Sequence, residues 1–477
     1  MSAVSPRRDL ATPRLRNLVF FIVLAAYAIA VAVIELRHEP WRDEADCWLL
    51  ARDADFATFF HRMGLSGTPG LWHFILVPFA RLGLPYATQA VLHVAIAVAT
   101  AAIVLRRASL PLVTRVLLVF SYYLAYEYAV VVRSYALSVL LLVAIAAMYE
   151  RRFARPMLFG ALVALLANTN THSLIVAGTI GAAYLLEGRR AAIKGAAVML
   201  AGGVAAALQL IPPPDAIAGG VIMRYTPNAF PSALAAAFFP TMVHPLTIAA
   251  GAVIVLAAIV AIRRDHGALL ILLGTLAGLA YLFTYKWIGG LRHSGFVFLV
   301  VLFVLWIATP SRERTFAIGL LTASLIASVI STATLWRLDY LAPFSGAKEM
   351  AAFINGAGLA DLPIAAHSET ATSAVCPWLR RPLWYAGTGR VGTFNLWDKT
   401  FDRGLYVTYP EAEQRAREHF RGGRWLLLFN VEIPEPAAHG FKLLHATREP
   451  FAHPDERFWL YEPIYPARSA GSSEPPR

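Results

Sequence analysis

Cysteine and charge are both scarce in this sequence. Two cysteines in 477 residues exclude a disulfide framework and a cysteine-based zinc module. Charged residues make up 15% of the chain and hydrophobic residues 58%, whereas soluble domains hold about 25% and about 45–50%. No repeat of solenoid period is present, and low complexity is confined to the Ser/Pro-rich tail after Tyr465. The composition therefore excludes a soluble globular protein and a repeat array.

Long apolar runs are what the sequence has instead. A membrane-spanning helix needs about 20 apolar residues, and roughly 17–25 are tolerated. The first run is followed by many others, so we interpret it as a span and not as a cleaved signal peptide. The runs predict an α-helical polytopic membrane protein with about 11 transmembrane helices. They lie at residues 17–36, 86–105, 112–130, 134–149, 157–171, 173–187, 195–211, 246–262, 268–286, 294–309 and 315–334.

The basic residues orient these spans. Lys and Arg accumulate in the short cytoplasmic loops of membrane proteins, and the formal net charge here is +12. If the short apolar segment 70–84 is a juxtamembrane helix and not a span, 16 Lys and Arg and five Asp and Glu fall in cytoplasmic segments, a net charge of +11. If it crosses the membrane, most of these clusters lie outside. The first arrangement is favoured, and its cytoplasmic segments are 1–16, 106–111, 150–156, 187–194, 262–267 and 310–314. The charge therefore reports orientation, with a cytoplasmic N-terminus, and not a nucleic-acid partner.

The composition changes near Asp339 to a polar, Pro-rich and aromatic segment. We predict a transmembrane domain over 1–338 and a small extracytoplasmic α/β domain over 339–477. Apolar patterning predicts a helix near Lys348–Ile354. It also predicts strands near Pro363–His367, Trp425–Phe429, Phe441–His445 and Arg457–Tyr461.

The predicted topology collects ionisable residues on the outer face. Charges at membrane depth are costly, so their clustering on one side indicates a site. Cations there suit a phosphate, and a carboxylate suits deprotonation of a hydroxyl. Plainer interpretations stay open: a structural Glu127–Arg133 ion pair, a hydrogen-bonded His172, and basic side chains anchored at the lipid boundary. The candidates are Asp43, Glu44, Glu127, Tyr128, Arg133, His172, Lys286, Arg292 and His293, with a long outer loop over 212–245 that includes Arg224.

In order and sidedness these motifs resemble the GT-C superfamily of integral-membrane glycosyltransferases. The sequence is similar to the families of the lipid-A aminoarabinose transferase, the protein O-mannosyltransferases and the lipopolysaccharide-core galacturonosyl transferases. The resemblance covers roughly residues 17–340. It rests on segments 41–44, 67–73, 127–128, 133–135, 292–293 and 343–345, which read WRDE, GTPGLWH, EY, RSY, RH and PFS.

The resemblance implies a polyprenyl-phosphate sugar donor, an acceptor hydroxyl on a lipid, glycan or protein, and inversion at the sugar. It implies a bacterial inner-membrane location with the C-terminal domain in the periplasm. Asp43 would act as general base with Glu44 beside it, and Glu127 would support the acceptor. Lys286, Arg292 and His293 would bind the donor phosphate, with Arg133, His172 and Tyr128 also contacting substrate.

The second outer loop departs from the family pattern, because it has Glu127 alone and no Asp-x-Asp pair. That departure disfavours a metal-dependent reaction, so we expect no cofactor, with a divalent metal as the alternative. A lipid-linked saccharide flippase and a membrane acyltransferase or polymer ligase remain competing functions. Cys47 and Cys376 would both face an oxidising compartment, so a disulfide between them is one alternative and two free, buried cysteines the other.

Overall fold

The structure is a computed structural model that describes residues 13–217, 225–421 and 423–464. Arg224 of the predicted outer loop, the first part of segment 1–16 and the tail after Tyr465 lie outside these residues. The chain divides into two compact units. The first comprises Met1–His38 and Ala54–Leu341, and the second comprises Glu39–Asp53 and Ala342–Arg477. The C-terminal unit thus includes a segment that the predicted division at residue 338 assigns to the membrane domain.

Helices account for most of the described residues up to position 341. Apart from the run over 112–130, each apolar run predicted as a span is helical over most of its length, since a helix satisfies its own backbone hydrogen bonds in lipid. The helices are α1 (Pro13–Glu35), α2 (Arg42–Asp53), α3 (Phe56–Ser66), α4 (Leu71–Arg81), α5 (Thr88–Arg107), α6 (Leu112–Val119), α7 (Tyr135–Met148), α8 (Pro156–Ala167), α9 (Thr171–Gly188), α10 (Ile193–Gln209), α11 (Ala229–Phe238), α12 (Pro245–Ile262), α13 (His266–Tyr281), α14 (Leu291–Ile307) and α15 (Arg312–Leu341).

Membrane character is evident from length and apolar composition. Within the described residues, six helical stretches are long and apolar enough to cross a membrane. They are Arg14–Glu35, Thr88–Arg107, Thr171–Gln209, Pro245–Ile262, His266–Lys286 and Arg312–Leu341. The predicted number of 11 spans stays a prediction, because several of the remaining apolar helices are short.

The run predicted as a single span over 112–130 differs from that prediction. Helix α6 ends at Val119, and a separate π-helical turn follows at Tyr123–Glu127. A second π-helical turn, Leu282–Lys286, follows α13. Counting apolar residues cannot detect either turn, because both are as apolar as the helices beside them.

Small residues allow close packing between helices of the first unit. A Cβ atom on Gly160 of α8 would lie 2.5 Å from the Gly195 carbonyl oxygen in α10. Farther along the same helix pair, a Cβ atom on Gly202 would lie 2.3 Å from Cβ of Ala164. Membrane helices associate through this kind of close packing, since lipid offers no hydrophobic driving force between them.

The second unit contains the predicted α/β domain. Within the described residues its six-stranded sheet has the order β3-β2-β1-β4-β6-β5, with β1 parallel to β2 and β4 and the other pairs antiparallel. The strands are β1 (Ile364–Ala366), β2 (Leu383–Tyr385), β3 (Arg390–Gly392), β4 (Leu426–Phe429), β5 (Phe441–Ala446) and β6 (Trp459–Pro463). The helices after residue 341 are α16 (Ala347–Gly356), α17 (Glu369–Thr372), α18 (Cys376–Leu379), α19 (Lys399–Gly404) and α20 (Tyr409–His419).

The sheet has a dense core. Ala365 of β1 pairs with Trp384 on one side and with Leu427 on the other. Aromatic residues such as Phe441 and Tyr461 are buried in the same cluster. The predicted helix and four predicted strands are confirmed, whereas β2 and β3 were not predicted.

Candidate functional site

Glu127 is the last residue of the π-helical turn 123–127. A π-helical turn accommodates one more residue than an α-helical turn and is frequent at functional sites. Two neighbouring helices hold it. The Tyr27 hydroxyl of α1 donates to the Leu124 carbonyl oxygen at 2.5 Å, and the Trp336 indole of α15 donates to the next carbonyl oxygen at 3.0 Å. The position of the Glu127 backbone is therefore fixed from both sides.

The carboxylate of Glu127 has a tyrosine as its partner. The Tyr122 hydroxyl donates to Oε2 of Glu127 at 2.5 Å. Within the described residues Glu127 forms no salt bridge, so Arg133 is not the partner that the sequence led us to expect. The negative charge of Glu127 acts on Tyr123 and Tyr128, which places all three in one aromatic and acidic cluster.

Tyr128 connects this cluster to α14. Its hydroxyl donates to the backbone carbonyl oxygen of Arg292, and the guanidinium charge of Arg292 acts on the same phenol. Gly295 makes this approach sterically feasible. A Cβ atom there would lie 2.2 Å from the Tyr128 hydroxyl and 2.6 Å from the Tyr123 ring. A glycine near the start of α14 thus allows Tyr123 and Tyr128 to approach this helix closely.

His293 is held on both ring nitrogens. The Gly290 backbone N–H donates to Nδ1 at 2.7 Å, and Nε2 lies 2.9 Å from the Tyr135 hydroxyl oxygen. Because Nδ1 accepts, the proton of the neutral ring is on Nε2, which donates to Tyr135. These bonds fix both the orientation and the tautomer of His293.

His172 stacks on His293. Their ring centroids are 4.7 Å apart. The Phe296 ring also stacks on His172, with ring centroids 5.2 Å apart. The residue lies in the first turn of α9, which is capped by the Asn170 side chain accepting from the Ser173 N–H at 2.9 Å. Nε2 of His172 is buried and has no hydrogen-bond partner among the described residues. A buried polar atom without a partner is costly, which marks this nitrogen as a position for a ligand contact.

Arg133 brings a second positive charge to the histidine pair. Its backbone N–H donates to Nε2 of His93 at 3.3 Å, which fixes the chain at this point. The charges of Arg133 and Arg292 both act on His293. The structure therefore brings Arg133, His172, Arg292 and His293 together. Two guanidinium groups around two imidazole rings suit an anion such as phosphate.

Lys286 ends the second π-helical turn. Its ammonium group lies 5.9 Å from the Tyr281 ring centroid, a cation–π contact. Phe283 of the same turn packs against His172, with ring centroids 5.7 Å apart. Within the described residues the structure shows no bond from Lys286 to His293, so it joins the cluster through its backbone segment and not through its side chain.

Asp43 and Glu44 are in the first turn of α2, in the second compact unit. Glu44 is fully buried, and its Oε2 accepts from the Trp41 backbone N–H at 3.0 Å. This is one half of a capping box, a helix-stabilising arrangement. Asp43 is half-buried and, like Glu44, is favoured electrostatically at a helix N-terminus. The structure therefore gives Glu44 a structural role of its own and leaves Asp43 the more accessible acid.

Two crystal structures of ArnT from Cupriavidus metallidurans match nearly the entire chain. The apo structure covers 94% of this chain and 98% of its own, at 11% identity and a TM-score of 0.56. The structure bound to undecaprenyl phosphate covers 97% and 100%, at 12% identity and a TM-score of 0.61. This chain has the ArnT fold. The GT-C fold expected from the sequence is thereby confirmed. No protein-family model matches the sequence, and a search of curated proteins finds no match.

Within the ArnT fold, the structure adds a residue that the sequence prediction missed. Asp339, at the end of α15, is buried, and its Oδ2 lies 2.8 Å from Nδ1 of His38 and accepts from the Tyr126 hydroxyl at 3.1 Å. Tyr126 belongs to the π-helical turn of Glu127, so Asp339 fixes that turn from a third side. The sequence does contain a signal for Asp339, namely an aspartate at the end of a long apolar helix. Tyr122 and Tyr135, which orient Glu127 and His293, carry no comparable local signal.

Neither cysteine of this ArnT-like chain forms a disulfide. Cys47 and Cys376 are separate, buried thiols, which agrees with the second of the two predicted alternatives. Among residues 13–217, 225–421 and 423–464, no three His, Cys, Asp or Glu side chains form a group that could hold a metal ion. Independence from metal stays a prediction.

Proposed function

We propose that this chain is a glycosyltransferase that moves a sugar from a polyprenyl-phosphate donor to an acceptor hydroxyl. The reaction would take place on the outer face of the bacterial inner membrane, with the N-terminus cytoplasmic and the C-terminal unit periplasmic. One observation carries the proposal: His172 Nε2 is buried without a partner beside His293, on which the charges of Arg133 and Arg292 converge. In a chain with the ArnT fold, this arrangement suits the phosphate of a lipid-linked donor.

The proposed reaction is a single in-line displacement. The acceptor hydroxyl oxygen forms a bond to the anomeric carbon of the sugar while the bond from that carbon to the phosphate oxygen breaks. Asp43 takes the hydroxyl proton, and polyprenyl phosphate leaves with the electron pair of the broken bond. Arg292 and Arg133 neutralise the charge that develops on the leaving phosphate, and Lys286 would add a third cation once its side chain turns from the Tyr281 ring towards the phosphate. Attack opposite to the leaving group inverts the anomeric carbon.

In this proposal the remaining candidate residues orient the donor, the acceptor and the side chains that bind them. Glu127, held by Tyr122, accepts a hydrogen bond from the acceptor sugar, lipid or protein group. The His172 Nε2 contacts the donor phosphate or a sugar hydroxyl, and His293 is held in place by Tyr135. Tyr128 keeps the carbonyl of Arg292 oriented and so directs the start of α14.

The fate of the lipid-linked donor distinguishes a glycosyltransferase from a flippase and from an acyltransferase. The purified chain, reconstituted in vesicles, is supplied with undecaprenyl-phosphate sugars and candidate acceptors. Release of free undecaprenyl phosphate that depends on an acceptor indicates transfer. Movement of the intact donor across the bilayer indicates a flippase. Acceptor acylation by an acyl donor, with no consumption of the lipid-linked sugar, indicates an acyltransferase. Either of the last two results alone contradicts the proposal.

Replacing Arg292 tests the phosphate site. Arg292→Ala should weaken undecaprenyl phosphate binding at least tenfold, because a charge-assisted hydrogen bond contributes about 1.5–3 kcal/mol. Arg264→Ala is the matched control, since Arg264 is exposed on a predicted cytoplasmic loop and should leave affinity unchanged. Equal affinities in the two variants would reject the role of Arg292.

Replacing Asp43 tests the general base. Asp43→Asn removes the proton acceptor but keeps the shape, so transfer should be lost while undecaprenyl phosphate binding persists. Asp361→Asn, an exposed position in the second unit, is the control. Substantial transfer by the Asp43 variant would show that another group is the base.

A further inference from the structure

The second unit contains a cavity of about 420 Å³ that the proposed reaction does not use. It opens where the parallel strands β1 and β2 end. His367, Ser368 and Glu369 follow β1 directly, and Gly387 and Thr388 follow β2 at the same edge of the sheet. Open α/β sheets bind ligands at the carboxyl ends of their parallel strands, and small-molecule sites measure about 300–1,000 Å³. Position and size therefore both fit a ligand site.

One of the groups that line this cavity is a buried carboxyl, that of Glu369. The Thr388 hydroxyl donates to Oε2 of Glu369 at 3.1 Å, and among the described residues this is the hydrogen bond that Glu369 makes. Burial raises the pKa of Glu369 to about 7. His367 also lines the cavity and packs edge-on against Tyr409, with ring centroids 4.8 Å apart. The His367 ring already makes a hydrogen bond with the Val407 backbone, so its second ring nitrogen and the Glu369 carboxyl are the groups available for hydrogen bonds to a ligand.

The chemistry of the lining excludes two classes of ligand. The Glu369 carboxyl lines the cavity and repels an anion when it is ionised. Anionic and nucleotide ligands are disfavoured by it. A fully apolar ligand is disfavoured as well, because it would offer no hydrogen bond to Oε1 of Glu369, which has none among the described residues.

Aromatic side chains in the lining indicate which kind of ligand fits, once anionic and fully apolar ligands are disfavoured. Tyr406 is 79% exposed at the opening of the cavity, and Phe401 and Tyr409 also line it. Aromatic rings offer flat apolar contact beside polar groups that fix orientation. A molecule with an apolar face and a rim of hydroxyl groups matches both parts of the lining, and a sugar ring has this construction.

We propose that this cavity is a saccharide-binding site, in which Glu369 and His367 bind ring hydroxyls and Tyr406 covers the apolar face of the sugar. The site is separate from the residues assigned to the transfer reaction. It holds whether or not the proposed glycosyltransferase function does, because it rests on the second unit alone.

Direct binding to the full-length chain in detergent tests the proposal without any assay of transfer. The probes are D-glucose, D-galactose, D-mannose, L-arabinose, D-glucosamine and D-glucose 6-phosphate, titrated by saturation-transfer difference NMR and by calorimetry. At least one uncharged or amino sugar should bind saturably, and D-glucose 6-phosphate at least tenfold more weakly than D-glucose. Absence of saturable binding for every uncharged and amino sugar, or preference for the phosphorylated sugar, overturns the proposal.

Two variants and two controls locate the binding. Tyr406→Ala and Glu369→Ala should each weaken binding of the best probe at least tenfold. Tyr406 is exposed, so its replacement leaves the core intact and keeps the test valid even if the Glu369 variant folds poorly. Val431→Ala and Glu432→Gln alter exposed positions away from the cavity and should bind as the parent does. If Tyr406→Ala binds as well as these controls, the saccharide is not in this cavity.

Discussion

Glu456 makes the stability of the second unit dependent on pH. The carboxyl group is fully buried, with Oε2 accepting from the Ser345 hydroxyl at 2.6 Å and Oε1 from the Arg42 backbone N–H at 3.1 Å. Burial raises its pKa from 4.5 to about 8, despite the opposing effects of Ser345 and Arg42. Ionisation of Glu456 therefore opposes the folded state of this unit.

The direction and size of the effect follow from the two pKa values of Glu456. Below about pH 4 the group is protonated in both folded and unfolded chains and contributes no pH dependence. Between pH 4.5 and 8 the unfolded chain loses the proton and the folded chain keeps it, so the free energy of unfolding falls by about 1.4 kcal/mol per pH unit. Above pH 8 the loss reaches roughly 5 kcal/mol and stops growing.

Glu456→Gln should remove this loss while preserving the hydrogen bonds, because the amide oxygen can accept from Arg42 and the amide N–H can donate to the Ser345 hydroxyl. Relative to the parent, the variant should gain roughly 3–4 kcal/mol between pH 5 and pH 8. That corresponds to a rise in Tm on the order of 10 °C at pH 8, with little change at pH 5. Thermal unfolding followed by tryptophan fluorescence at both pH values measures the difference.

The exposed Glu432→Gln substitution is the control, and its Tm difference from the parent should be small at both pH values. If Glu456→Gln shifts Tm equally at pH 5 and pH 8, the carboxyl group does not titrate in this range and the reasoning fails. If the parent has a higher Tm than Glu456→Gln at pH 8, the effect has the opposite sign and the reasoning is refuted as well.

Two further substitutions test the residues that hold the Glu127 turn. Tyr122→Phe removes the hydroxyl that donates to Glu127 and should lower the rate of sugar transfer about tenfold or more, since such bonds contribute about 1.5–3 kcal/mol; a rate equal to that of the parent would separate Glu127 from the reaction. Asp339→Ala removes the partner of His38 and Tyr126 and should lower the free energy of unfolding by about 1–3 kcal/mol. Asp339→Asn, which retains an acceptor oxygen, should lose less in the same thermal unfolding assay, and equal losses would contradict the hydrogen-bonding role.

The hydrophobic pattern was sufficient to predict most helices of the first unit, including the short helix α4 within segment 70–84, but it missed α3 and also α11, which lies within the predicted outer loop 212–245. Helix α3 is amphipathic, so a search for continuous apolar runs passes over it. Its ends nevertheless carry readable signals: Asp55 caps the N-terminus by accepting from the Thr58 N–H, and Gly67 ends the helix with φ +61°. Sheet order in the second unit was not predictable, because pairing of β1 with β2 and β4 depends on distant segments.

In the candidate site, too, local sequence predicts some features, whereas others depend on distant segments. Residue type and predicted sidedness were enough to select Arg133, His172, Arg292 and His293, which the structure brings together. Their orienting partners could not be selected, since Tyr135 is 158 positions from His293 and nothing in either local sequence links them. Long-range hydrogen bonds of this kind are a product of the fold.

The two π-helical turns impose a constraint on chain length. Glu127 and Lys286 are each the final residue of such a turn, where one residue more is accommodated than in an α-helical turn. Successive residues of an α-helix are rotated by about 100° around its axis. Deleting any one residue from either turn would remove its wider spacing and would rotate the position of Glu127 or Lys286 by about that angle relative to the residues before it. Homologous chains should therefore tolerate insertions and deletions in their surface loops far more readily than within these five-residue segments.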